Sequence, residues 1–158
     1  MIAFAIAKSA IKPKTKNVKQ ASLLYAGILV IFVVAQLFTF SKFIVLFQTF
    51  SLPGGATFAY FASALLVTAE VFALPFLLSM KLSMAMRFLS MFMGWVVALM
   101  WIFITFWLNV SGSDVANIGF LGTVVSLLPG WWAFCVSLAL AILSIWATWG
   151  MWPLIHKK

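Results

Sequence analysis

Residues 57–80 read TFAYFASALLVTAEVFALPFLLSM, an apolar stretch with a single charged side chain, Glu70. A hydrocarbon core about 30 Å thick is crossed by about 20 apolar residues rising about 1.5 Å each, so this stretch is long enough to span a bilayer as a helix. Glu70 stands ten residues from its end, near mid-depth. A carboxylate there costs about 2.5 to 3.5 kcal/mol on insertion scales and marks a functional site by default.

Three further runs are of spanning length, roughly 21–40, 84–108 and 131–152. With 66% hydrophobic and 8% charged residues among 158, there is too little polar surface to coat a soluble globule. Long unbroken runs, and not alternating strands, place the chain in the all-α class as a polytopic membrane protein with a four-transmembrane-helix bundle. The predicted organisation is a basic cytoplasmic N-terminal segment (1–20), one transmembrane domain (21–155) and a short cytoplasmic tail (156–158).

The connections carry their own signals. Residues 50–55, FSLPGG, break the chain before the second span, and 41–49, with Lys42 and Gln48, are expected at the interface. Residues 81–83 leave room only for a tight antiparallel hairpin between the second and third spans. Residues 109–119 read as a loop, and 120–128 as an apolar piece too short to cross, ended by Pro129-Gly130 and therefore interfacial or re-entrant.

The net charge of +8 comes from basic residues clustered between the apolar runs and at the ends, which argues for topology and against nucleic acid. For four spans, Lys8, Lys12, Lys14, Lys16, Lys19, Lys81, Arg87, Lys157 and Lys158 fall on one side, and Lys42 alone on the other. The positive-inside rule then puts both termini in the cytoplasm, and the expected address is the cell membrane, as a multi-pass inner-membrane protein. Residues 1–7 are too short for a signal-peptide core, and charge follows them where a signal peptide needs it in front, so no cleavage is expected. Lys8, Lys12, Lys16 and Lys19 share one face if their segment is helical. They would then lie on anionic lipid, each worth about 1 kcal/mol. Pro13 opposes that helix, and a solvated basic tail that only sets topology is the alternative.

One cysteine, Cys135, excludes an internal disulfide, and one histidine, His156, excludes a bis-histidine haem or a multi-histidine metal site built by this chain alone. No metal site and no resident cofactor are evident. Methionines crowded between Met80 and Met93 lack ligand spacing and read as gap-fillers. Trp107, Trp131 and Trp132 map to one interface, and Trp149 and Trp152 to the other, as an aromatic belt.

The second and third spans both carry small and polar residues on the face that holds their charge. On a helical wheel Glu70 aligns with Ala59, Ser63, Leu66, Leu74 and Leu77, and Arg87 with Gly94, Ala98, Trp101 and Thr105. Glu70 lies about 16 Å from the Lys81 turn and Arg87 about 9 Å, a gap that an arginine side chain covers. Two readings follow. Either Arg87 pairs with Glu70 as an ion pair, or Arg87 snorkels to the headgroups and Glu70 holds its proton. Tyr25 and Gln36, on one stripe of the first span, bracket Glu70 in depth and would complete a polar cluster. Ordinary interhelical hydrogen bonding, worth about 0.6 kcal/mol per contact, is the alternative for each of them. Trp101, on the Arg87 stripe, could wall a planar ligand or simply pack. In the last span, Ala133, Ser137, Ala141, Ser144 and Thr148 form a small-residue stripe suited to close helix contact, so Ala141→Leu is expected to harm more than Leu140→Ala.

The stretch AEVFALPFLL at 69–78, followed by Ser83 and Arg87, resembles the second span and following turn of the DoxX/MauE-like membrane proteins. In that family a first span ends in a glycine or polar residue and a lysine, similar to Gln36 through Lys42 here. A glutamate in span two precedes a basic residue near the turn, matched by Glu70 and Arg87. The chain departs in having Tyr25 where an arginine is common, and Ala73-Leu74-Pro75 in place of a glycine-rich end. The resemblance implies a subunit that assists a membrane redox or electron-transfer partner, with a quinone as a possible ligand, and not an enzyme on its own. A proton-linked permeation element using Glu70, or a structural subunit of a complex with another membrane protein or a second copy, are the alternatives.

Overall fold

The computed structural model describes residues 12–112 and 114–152. These residues form five helices, α1 (Lys16–Phe38), α2 (Phe40–Thr49), α3 (Gly55–Leu77), α4 (Met84–Val110) and α5 (Trp131–Gly150). Four of them, α1, α3, α4 and α5, are long and apolar enough to cross a membrane. The protein is an all-α multi-pass membrane protein. The first span begins five residues earlier than expected. Thr15 caps it by accepting from the Val18 amide at 3.2 Å, which meets one of the orphan donors of a helix start.

Residues 40–49 form a helix of their own, separated from α1 only by Thr39. The Thr39 hydroxyl donates to the Ala35 carbonyl and accepts from the Thr123 amide at 3.1 Å. Helix α2 buries Phe43 and Phe47 and leaves Lys42 and Gln48 exposed, as an interfacial helix should. Gly54 and Gly55, at φ +110° and +70°, make the turn into α3 that a side chain would strain. Ser79, at φ +56°, lies in the turn that ends α3, and Ser83 caps α4 through the Met86 amide.

α3 packs on α4, α4 on α5, α5 on α1, and α1 on α3, closing a four-membered ring with α2 against α3 at one end. The Ser22 hydroxyl donates to the Leu77 carbonyl, and the Lys14 amide donates to the Gly150 carbonyl at 3.1 Å. The start of α1, the end of α3 and the end of α5 therefore share one end of the bundle. Lys12, Lys14, Lys16, Lys19, Lys81 and Arg87 gather there, and Lys42 lies at the other end. Lys12, Lys16 and Lys19 are exposed; Lys8 lies outside the described residues, as do His156, Lys157 and Lys158.

Pro75 lies inside α3 and costs it a backbone donor. Close by, the Ser90 hydroxyl of α4 accepts from the Phe76 amide at 3.0 Å and donates to the Phe72 carbonyl. It is thus inserted into the helical ladder between the two groups that would otherwise bond each other.

The α4–α5 seam uses small residues, as expected. Ala133, Ser137, Ser144 and Thr148 are buried, with Ser137 bonded to Thr105 at 3.2 Å and Thr148 to the Trp95 indole at 2.9 Å. Ala141 instead lines an open groove with Trp95, Ala98, Leu99, Ser144 and Ile145. Leu140, at 4% exposure, belongs to the core, so the expected ranking of these two positions is reversed. The turn of helix between Ser137 and Ser144 places its inward point at 140, one residue before the stripe's nominal member.

Residues 114–130 are not helical, and they fold back over the end of the bundle. Asn117 holds it together. Its Oδ1 accepts from the amides of Gly119 and Leu127, and its Nδ2 donates to the Gly122 carbonyl at 2.9 Å. Val115, Ile118 and Phe120 are buried, Phe120 against Phe32 of α1, while Val124, Val125 and Leu128 face outward.

Candidate functional site

Glu70, Gln36 and Trp101, from three different spans, meet in one place and are all fully buried. Gln36 Nε2 donates to Glu70 Oε1 at 3.3 Å, and Trp101 Nε1 donates to the same oxygen at 3.2 Å. Gln36 Nε2 also donates to the Phe120 carbonyl at 3.2 Å, so the returning loop is part of the site. Phe120 stacks on Phe32 at 5.4 Å and packs against Trp101 at 4.5 Å, and Phe32 meets Trp101 edge-on at 6.1 Å. The carboxyl is held by two N–H donors on one oxygen, one of them from an indole packed between the Phe32 and Phe120 rings.

Arg87 is not Glu70's partner. Its Nε donates to the Leu82 carbonyl at 3.1 Å, in the turn before α4. The reason lies in side-chain direction. Helical side chains lean toward the N-terminus of their own helix, and α4 begins at the Lys81 end. Arg87 therefore leans toward that end and away from Glu70, whereas Trp101, deeper along α4, leans back toward it. The guanidinium stays part-buried at the Lys81 end of the bundle, the direction in which a long basic side chain snorkels.

Tyr25 also separates from the cluster. Its hydroxyl donates to the Gly94 carbonyl at 2.8 Å, where Ser144 donates as well at 3.3 Å. Gly94 thereby ties α1, α4 and α5 together through its carbonyl, and a Cβ there would make only ordinary contact, 3.8 Å from the Tyr25 ring. Tyr25→Phe is expected to cost about 0.6 kcal/mol and no more than about 1.7, measured by reversible unfolding in mixed micelles, because Ser144 still serves the carbonyl.

Among the described residues no three of His, Cys, Asp and Glu come together as a metal-binding group. The loop contribution from Phe120 was not apparent from sequence. The signal that could have found it is the pair of glycines around it, Gly119 at φ +90° and Gly122 at φ +58°. A Cβ on Gly122 would lie 2.5 Å from Thr39 Oγ1, 2.8 Å from the Ala35 carbonyl and 3.0 Å from Gln36 Cα, so only glycine lets the turn rest on α1 beside Gln36. Compared with known proteins, the chain matches no family model, no curated protein and no solved structure.

Proposed function

We propose that this protein is an accessory subunit of a membrane redox or electron-transfer complex, as its resemblance to DoxX/MauE-like proteins implies. The observation that supports this is the enclosed cluster around Glu70, the position that the resemblance marks. Gln36 and Trp101 bring two other spans to one carboxyl, and the Phe120 turn holds Gln36 in place. Trp101 is neighboured by the chain's own rings, Phe32 and Phe120, so a quinone does not fit against it in this arrangement. In this reading the quinone or other redox cofactor belongs to the partner. The permeation reading would need a polar path beyond the cluster, and the Phe32 and Phe120 rings packed around Trp101 supply no polar group to it.

Affinity purification in mild detergent, with the co-purifying proteins identified, tests the proposal. Subunits of a membrane oxidoreductase should be recovered with the chain. Recovery of the chain alone, or only as a homo-oligomer, would count against it. The same reading places the chain in the cell membrane with both termini cytoplasmic and the basic end of the bundle on anionic lipid. Reporters at Asp114 and Lys158 should then report opposite sides, with Lys158 inside, because the basic residues crowd one end.

A further inference from the structure

A carboxylic acid and a primary amide can join in a ring of two hydrogen bonds, amide N–H to one carboxyl oxygen and carboxyl O–H back to the amide oxygen. The first arm of that ring is present between Gln36 Nε2 and Glu70 Oε1 at 3.3 Å. The two atoms that would make the second arm, Gln36 Oε1 and Glu70 Oε2, are the buried side-chain atoms without a hydrogen-bond partner among the described residues. Each orphaned buried acceptor costs about 1 to 3 kcal/mol. As a carboxylate, Glu70 offers no donor, and both orphans remain. One proton on Oε2 serves both.

Turning the Gln36 amide over does not solve the problem. It would set Gln36 Oε1 against the Phe120 carbonyl, which has no proton to give and now accepts from Gln36 Nε2 at 3.2 Å. The remaining charged and titratable groups on neighbouring elements point elsewhere. On α1, Tyr25 is bonded to Gly94, and Lys16 and Lys19 are exposed at the far end; on α4, Arg87 is bonded to Leu82; on α2, Lys42 is exposed. In the loop Asp114 is exposed, and on α5 so is Cys135.

We propose that Glu70 and Gln36 form a proton-binding site, in which one proton resides on Glu70 Oε2, is donated to Gln36 Oε1, and exchanges with the aqueous face beside α2 only when the Phe120 turn lifts. On release the proton passes to water, and the carboxylate left behind keeps the Gln36 and Trp101 donors on Oε1. The cover over Gln36 at that face is a single turn of chain, pinned by Asn117 and seated through Gly122. This inference does not rest on the redox-partner reading, and a lone chain without partners can bear it out.

The chain has only two Asp and Glu residues, which makes infrared spectroscopy of the full-length protein in lipid decisive. At neutral pH a protonated carboxylic C=O band should be present, absent in Glu70→Gln and displaced in Gln36→Leu. After transfer to D2O the wild-type band should shift slowly, and in Gly122→Ala at least about tenfold faster, because the turn's opening is made easier. Asn117→Ala, read the same way, covers the case of a Gly122→Ala chain that does not fold. Carboxylate bands alone at neutral pH, or a band that Gln36→Leu leaves in place, would overturn the shared proton. Equal exchange rates in the wild type and the loop variants would overturn the route through the turn.

Discussion

Trp101→Ala is expected to destabilise the bundle by about 3 kcal/mol, the largest effect of any single truncation considered, read from unfolding in mixed micelles. Trp101 is among the largest fully buried side chains, set between Phe32 and Phe120, and it supplies one of the two donors on Glu70. The figure sits at the low end of that for aromatic truncation in soluble cores. Side chains released from this bundle go into lipid, itself apolar, so the loss is mostly packing and the stranded carboxyl. Trp101→Phe should recover much of the packing and none of the hydrogen bond. An Ala variant no less stable than the Phe variant would show that the indole is not holding the site.

The second large effect is expected at Leu140. Leu140→Ala opens a void among α5 and its neighbours and should cost about 2 kcal/mol in the same measurement. Ala141→Leu, by contrast, extends into the groove shared with Trp95 and Ala98 and should cost well under that. Equal losses, or a larger loss at Ala141, would mean that the groove is filled by a partner helix in the assembled state.

The spans were legible because length and hydropathy are the physics of crossing a bilayer, and the observed helices follow the expected runs to within a few residues, α1 excepted. Glu70 was legible for the same reason in reverse, as an expense that lipid does not tolerate idly. Gln36 and Trp101 followed from faces of a helical wheel. What the wheel could not convey was direction along the axis. Arg87 and Trp101 share a stripe, but the lean of their side chains sends one to the interface and the other to the carboxyl. Nor does hydropathy distinguish a re-entrant segment that caps the bundle from one that lies on the interface. Phe120 reaches the site only because Asn117, Gly119 and Gly122 shape the turn, and those are local conformational facts. The misplaced ranking of Leu140 and Ala141 has a similar origin, since a stripe of small residues marks where helices approach and not which large side chain fills the space beside it.

A double-mutant cycle tests the account most directly. Gln36→Leu, Glu70→Leu and Arg87→Met, singly and in pairs with Glu70→Leu, would be compared by unfolding in the same micelles. Residues in one hydrogen-bonded network couple by about 0.5 to 3 kcal/mol, and independent ones add to within about 0.5 kcal/mol. Gln36 and Glu70 should couple by about 1 kcal/mol or more, and Arg87 and Glu70 should be additive. A strong Arg87–Glu70 coupling with additive Gln36 would contradict the site described and return the carboxyl to an ion pair.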